Sequence, residues 1–192
     1  MKRIDMRNVK EAGDNTRLTA GGYVCQYTKV EDREDKEYLY MEFDIVEGEF
    51  KGYFKDLSDR FGFWGGKCYR SYKEAAKPMF KRMCSAVSKS NGNFVFDGDQ
   101  INRDERTLVG KYVGIVFQEE EYIGNDGSVK TRLNVYAERP VDDIRSGNFK
   151  VPSLKKLEDD NGRETPAGSG ATADPDGFMN IPDDASEEMP FN

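Results

Sequence analysis

Residues 38–45 read Tyr-Leu-Tyr-Met-Glu-Phe-Asp-Ile, and this alternation constrains the fold more than any other stretch of the chain. Leu39, Met41, Phe43 and Ile45 alternate with Tyr38, Tyr40, Glu42 and Asp44, the period of two of a strand with one buried face. One face enters a core, and the other offers two tyrosines and two carboxylates. Residues 23–30 make a partner strand, in which Tyr23, Cys25 and Tyr27 alternate with Val24, Gln26 and Thr28, and the charged run 31–36 connects the two. Glu47-Gly48 turns the chain into a third strand over 50–55, completing an antiparallel meander. Residues 56–72 carry neither a helical nor a strand period.

The spacing predicts a helix over 78–89. Pro78 suits the first helical position and Asn91-Gly92 the stop. Phe80, Met83, Cys84 and Val87 share one face, while Lys81, Arg82, Ser85 and Lys89 lie off it in solvent. A hairpin follows, residues 110–122 and 128–138 around the turn Gly124-Asn125-Asp126-Gly127. Val113, Ile115 and Phe117 fill one face of its first strand. In its second strand Leu133, Val135 and Ala137 face one way and Arg132, Asn134, Tyr136 and Glu138 the other. Three strands, a helix, then two strands predict a mainly β chain, a five-stranded oligonucleotide/oligosaccharide-binding (OB) barrel with one helix between strands three and four. A ferredoxin-like layout needs a helix between the first two strands, and 31–36 is too short for one.

Three regions follow from composition. Residues 1–17 form a polar, flexible arm without periodicity, 18–157 the barrel, and 158–192 an acidic tail of Gly, Pro, Ala and Ser that cannot bury enough surface to fold. The net charge of −7 argues against a polyanionic partner until it is divided. Ten acidic residues and one basic residue, Arg163, give the tail −9, which leaves 28 basic and 26 acidic residues, a net +2, on residues 1–157. Residues 141–157, with Arg145, Lys150, Lys155 and Lys156, return across the body.

The chain has no histidine, which removes Ser-His-Asp and Cys-His catalysis and histidine-ligated metals. Asp97-Gly98-Asp99 opens like a calcium loop, but Ile101 stands where a ligand should follow. Glu119, Glu120 and Glu121 are adjacent strand residues and point to opposite faces, and no Walker-type phosphate loop is present. The expectation is a binding protein, not an enzyme, with no cofactor or metal. No apolar run approaches the roughly 20 residues of a membrane span, and the start shows no signal-peptide hydrophobic region. Cys25, Cys68 and Cys84, without a Cys-x-x-Cys pair, read as structural thiols of a protein in a reducing, cytoplasmic compartment.

Within 61–72 stand Phe61, Phe63, Trp64, Tyr69 and Tyr72 among Lys67 and Arg70, with Gly62, Gly65 and Gly66 loosening the backbone. Single-stranded nucleic acid is held by aromatic rings that stack on bases above a basic groove, which makes this loop the first candidate surface, with Trp64 at its centre. The same rings serve equally as a cap on an open barrel end. Tyr40, Tyr136 and Arg132 form a second candidate platform, and Lys111, opening strand four, adds a cation.

The chain ends FMNIPDDASEEMPFN. Asp183, Asp184, Glu187 and Glu188 precede the apolar Met189-Pro190-Phe191, with Asn192 last. This resembles the acidic tip of bacterial and phage single-stranded DNA-binding proteins, which implies partner binding through these seven residues. FDIVEGEFKGYF, the 80–91 helix, LVGKYVGIVFQEEEY and KVPSLKKL are similar to replication-module proteins of bacteriophages that infect Gram-positive bacteria. That resemblance implies an OB barrel that binds single-stranded DNA without sequence preference in replication or recombination. Its tail would recruit replication or recombination proteins and compete for the DNA groove. The alternatives are a replisome accessory or inhibitor that does not bind DNA, and, more distantly, a carboxylate-metal nuclease. The sequence leaves the oligomeric state open.

Overall fold

The computed structural model describes Arg3, Asp5, Arg7 and residues 17–157. The fold is mainly β. Five antiparallel strands, β1 (Gly21–Arg33), β2 (Tyr38–Ile45), β3 (Lys67–Ser71), β4 (Tyr112–Ile123) and β5 (Val129–Arg139), form one open sheet in the order β3-β2-β1-β4-β5. Helix α1 (Tyr53–Phe61) lies between β2 and β3, α2 (Lys77–Ser90) between β3 and β4, and α3 (Val141–Ser146) follows β5. The expected alternation holds along β2, where Leu39, Met41, Phe43 and Ile45 are all buried. Met83, Cys84 and Val87 of α2 close over this face with Phe80 partly buried beside them, as the helical spacing predicted.

The third strand is not where the alternation placed it. Residues 53–61 are helical, and the strand lies further on, at Lys67–Ser71. Phe50, Tyr53, Phe54 and Leu57 fall at i, i+3, i+4 and i+7, so the helical period was present, and all four pack on the core. Asp44 fixes the start of α1, its Oδ1 accepting the Phe54 N–H at 3.0 Å.

Two bulges set which side chains go inward. Between Tyr27 and Lys29 the β1–β2 register slips by one residue at Thr28, so Tyr27 faces Phe43 in the core while Lys29 pairs with Glu42 outside. A second slip at Val116/Phe117 lets Tyr136 bulge from β5. Val135 therefore pairs with Phe117 and Glu138 with Ile115, and both point inward. Glu138, expected outside beside Arg132 and Tyr136, is only 1% exposed.

The outer face of the sheet is partly covered. Gly22 and Gly114 form a floor on which α3 rests: a Cβ at Gly114 would lie 2.3 Å from Ile144 Cγ1, and one at Gly22 2.5 Å from the Phe149 ring. Val24 and Val116, paired with these glycines, are buried beneath α3. Beyond α3 the chain runs along β4, where Lys155 N–H donates to Glu119 O and Lys155 O accepts from Glu121 N–H, each at 2.9 Å. Residues 141–157 thus return across the body as expected. Among the described residues no helix is long and apolar enough to cross a membrane.

Candidate nucleic-acid interface

The part of the outer face that α3 leaves open belongs to β2, β3 and the second half of β1. Register places its side chains in rows across the strands: Lys29, Glu42 and Lys67, then Glu31, Tyr40 and Tyr69, then Arg33 and Tyr38. Three half-buried tyrosine rings meet there. The Tyr69 centroid is 5.3 Å from Tyr40 and 5.5 Å from Tyr38, in tilted and edge-to-face geometry. Lys29 Nζ lies 5.5 Å from the Tyr40 ring centroid. The Tyr40 hydroxyl donates to Glu42 Oε1 at 2.7 Å. Partial burial, and then that carboxylate, raise the Tyr40 pKa well above an ordinary phenol's, so the ring stays neutral. Rings, with their faces partly open, interleave with three cations and two carboxylates.

The structure divides the sequence candidates among several places. Tyr40, Tyr69 and Lys67 fall on this face together. Tyr38, Lys29 and Arg33 join them; Tyr38 shares the outward parity of Tyr40, the bulge at Thr28 hides Lys29 from the alternation, and Arg33 lies in the run expected as a connection, into which β1 extends. Trp64 is half-buried against the core, its Nε1–H donating to Gly66 O at 3.0 Å. Phe63 is partly buried and Phe61, ending α1, is 47% exposed. Tyr72 packs on Phe80 with centroids 5.8 Å apart and donates its hydroxyl to Asp32 Oδ1 at 2.8 Å.

Arg70 points the other way. It opposes Leu39 in register and turns inward, where its Nε donates to Glu138 Oε1 at 2.6 Å. Burial alone would lower the guanidinium's pKa, and the Glu138 carboxylate more than offsets it, so Arg70 stays charged. Expected on the nucleic-acid surface, it instead links β3 to β5, the two edges of the open sheet. Arg82 of α2 is likewise turned in from the solvated face assigned to it, its Nε buried.

The remaining candidates are scattered. Arg132 lies on the β4–β5 hairpin, 5.2 Å from the Tyr122 ring centroid and 3.5 Å from Glu120 Oε2. Tyr136 is half-buried at its bulge. Lys111 Nζ sits 4.3 Å from the Phe94 ring centroid, at the far end of β4 from the hairpin turn. Asp183, Asp184, Glu187, Glu188, Met189, Pro190 and Phe191 lie outside the described residues.

Two other sequence features find structural roles. Asp97 accepts backbone N–H bonds from Asp99, Ile101 and Asn102, which lower its pKa and tie the 97–102 loop. The three cysteines are free and buried, and burial pushes the Cys68 and Cys84 thiols up to about 12. No protein-family model matches this chain, and no curated protein matches it.

Proposed function

We propose that this chain binds single-stranded DNA without sequence preference, on the outer face of β1, β2 and β3. The observation that carries this reading is the cluster of Tyr38, Tyr40 and Tyr69, with centroids 5.3–5.5 Å apart along the cluster, flanked by Lys29, Arg33 and Lys67. Stacking of bases on such rings contributes about 1–3 kcal/mol per base and tolerates any sequence, because every base has a π face. The strand order, the helix between β3 and β4, and the Arg70–Glu138 link between the sheet edges suit an OB barrel, which binds oligonucleotides on this same face. Trp64, bound to the core, serves as a cap in this reading. The tip at 183–191 recruits partners in replication or recombination, as its resemblance to acidic-tipped phage and bacterial proteins suggests.

Fluorescence anisotropy with labelled oligo-dT tests the proposal. Tyr40→Ala and Tyr69→Ala should each weaken binding by about 5- to 150-fold, the loss of one stacked base. Trp64→Phe should leave affinity within about twofold, since on this reading it removes no stacking ring. Wild-type protein that ignores oligo-dT at low salt overturns the reading and favours an accessory protein that works through its tail. Loss of binding in Trp64→Phe with the tyrosine variants unaffected would move the site to the 61–72 loop.

A further inference from the structure

Three outward residues of β1, Lys29, Glu31 and Arg33, stand two apart along one strand, and Glu31 pairs in register with Tyr40 at the centre of the tyrosine cluster. Both oxygens of Glu31 are engaged. Lys29 Nζ lies 2.7 Å from Oε1 and Arg33 Nη2 2.6 Å from Oε2. One carboxylate thus draws together two cations whose Cα atoms stand about 13 Å apart along a strand. Lys29 is also the cation over the Tyr40 ring. All three side chains are at least one-third exposed, so the arrangement is within reach of solvent and of a ligand.

A carboxylate and a phosphodiester are alike in what a cation sees. Each carries one negative charge on two terminal oxygens, and each accepts charge-assisted hydrogen bonds from Lys and Arg. A strand lying on the tyrosines would present its phosphates to the donors that Glu31 now holds. We propose that Glu31 is a built-in phosphate surrogate that weakens the interface. It keeps Lys29 and Arg33 neutralised beside the rings, and the incoming DNA backbone must displace it. The idea rests on the reading that this face binds single-stranded DNA, and it adds what regulates affinity there. It also accounts for a carboxylate at the middle of a face that would otherwise attract polyanions more strongly. The partner carboxylate Glu42 is engaged differently, by the Tyr40 hydroxyl, and holds neither cation in this geometry.

The test is Glu31→Gln, which keeps size and hydrogen bonding but removes the charge. Affinity for oligo-dT at low salt should rise ~2- to 10-fold, as two exposed ion pairs release their cations. The log–log salt slope should steepen by up to about 0.7, the worth of one phosphate on a single strand, because the displaced carboxylate no longer cancels one of the two cations. Glu74→Gln makes the same change in net charge at an exposed carboxylate paired with Lys77, away from the tyrosines, and should move neither quantity appreciably. In the Glu31→Gln background, adding either Lys29→Gln or Arg33→Gln should return the slope to near that of the wild type. If wild type binds and Tyr40→Ala weakens it, yet Glu31→Gln leaves affinity and slope unchanged, the surrogate role is refuted and the interface stands. An equal gain in Glu74→Gln also refutes it, because the effect is then one of overall charge. Absence of oligo-dT binding in both wild type and Glu31→Gln overturns the interface and this inference together.

Discussion

Breaking the Arg70–Glu138 pair tests the inward turn of both residues. The two edge strands, β3 and β5, have no backbone ladder between them among the described residues, and this 2.6 Å contact joins them. Side-chain exposure is 12% for Arg70 and 1% for Glu138, so removing either partner strands a charge in the core. Breaking a buried pair in this way costs about 3–5 kcal/mol. For a folded body of this size each kcal/mol shifts Tm by ~2–4 °C, so Arg70→Met or Glu138→Leu should lower Tm by roughly 6–20 °C. The double variant should behave otherwise. Arg70 Nη2 and Glu138 Oε2 are buried without a hydrogen-bond partner among the described residues, so replacing both side chains removes two unsatisfied groups with the charges. The double variant should recover most of the loss. Calorimetry on the four proteins of this cycle gives the coupling directly. The double variant should also bind oligo-dT with the wild-type salt slope, because a buried guanidinium contacts no phosphate. Single variants that each cost less than ~1 kcal/mol would refute the buried contact, for that is the worth of an exposed pair. A flatter salt slope in the folded double variant would return Arg70 to the surface.

Further outcomes follow from the packing and charges already described. Gly114→Val places a side chain where Ile144 Cγ1 lies 2.3 Å and Arg139 O 2.9 Å from the new Cβ, and should cost about 1–3 kcal/mol by overpacking, read in a denaturant melt. Alkali should destabilise the protein under reducing conditions. The folded pKa values of Cys68 and Cys84 are about 12, above the ~8.5 of an unfolded thiol, so their contribution is full below pH ~8.5 and is lost as pH rises through the folded values. Each thiol adds a slope of ~1.4 kcal/mol per pH unit; Cys84→Ala should show a shallower decline between pH 8.5 and 10.5, and a midpoint independent of pH would contradict the burial. Deleting residues 158–192 moves the formal charge from −7 to +2 and should tighten oligo-dT binding at low salt, whereas Phe191→Ala should keep DNA affinity and lose replication or recombination partners in a pull-down. A truncated protein that binds no better, with every partner retained by Phe191→Ala, would leave the tail a solubilising extension.

The pattern of two was legible where a strand is regular and failed where it slips. Along β2 each expected inward residue is buried, and Tyr38 and Tyr40 reach the outer face, because nothing interrupts the pleat between Tyr38 and Ile45. Parity alone cannot see a bulge. One extra residue at Thr28 exchanges the faces of everything after it in β1, bringing Lys29, Glu31 and Arg33 out beside the tyrosines. One at Tyr136 does the same in β5 and carries Glu138 into the core. The misplaced third strand has a different cause: Phe50, Tyr53, Phe54 and Leu57 carry a helical period that a short aromatic run disguises as a strand.

The two slips have linked consequences for the candidate site. With Glu138 inside, a cation must come from a neighbouring element to meet it, and the inward position on β3 opposite Leu39 is the one that can reach β5. Arg70 is therefore withdrawn from the aromatic-basic run of 61–72, which otherwise reads as a single surface loop. Its neighbours along the strand alternate about it: Tyr69 goes out to the tyrosine cluster, Cys68 goes in on Arg70's side of the pleat, and Ser71, opposite Tyr38, donates its hydroxyl to Glu37 O. What the run loses in Arg70 the face regains from β1, where the slip at Thr28 delivers Lys29 and Arg33. The cations of the interface thus come from a strand whose sequence alternation pointed them elsewhere, and they come with Glu31 between them. A face assembled this way has its charge set by bulges, and Thr28 is the extra residue: deleting it should restore a regular pleat with the β2 register kept, leaving both cations and Glu31 beside the tyrosines. In a deletion variant that still folds, oligo-dT affinity and salt slope should both be retained, whereas Lys29→Gln with Arg33→Gln should lower both; a folded deletion variant that loses both would show that the bulge itself, and not only the side chains it turns outward, shapes the interface.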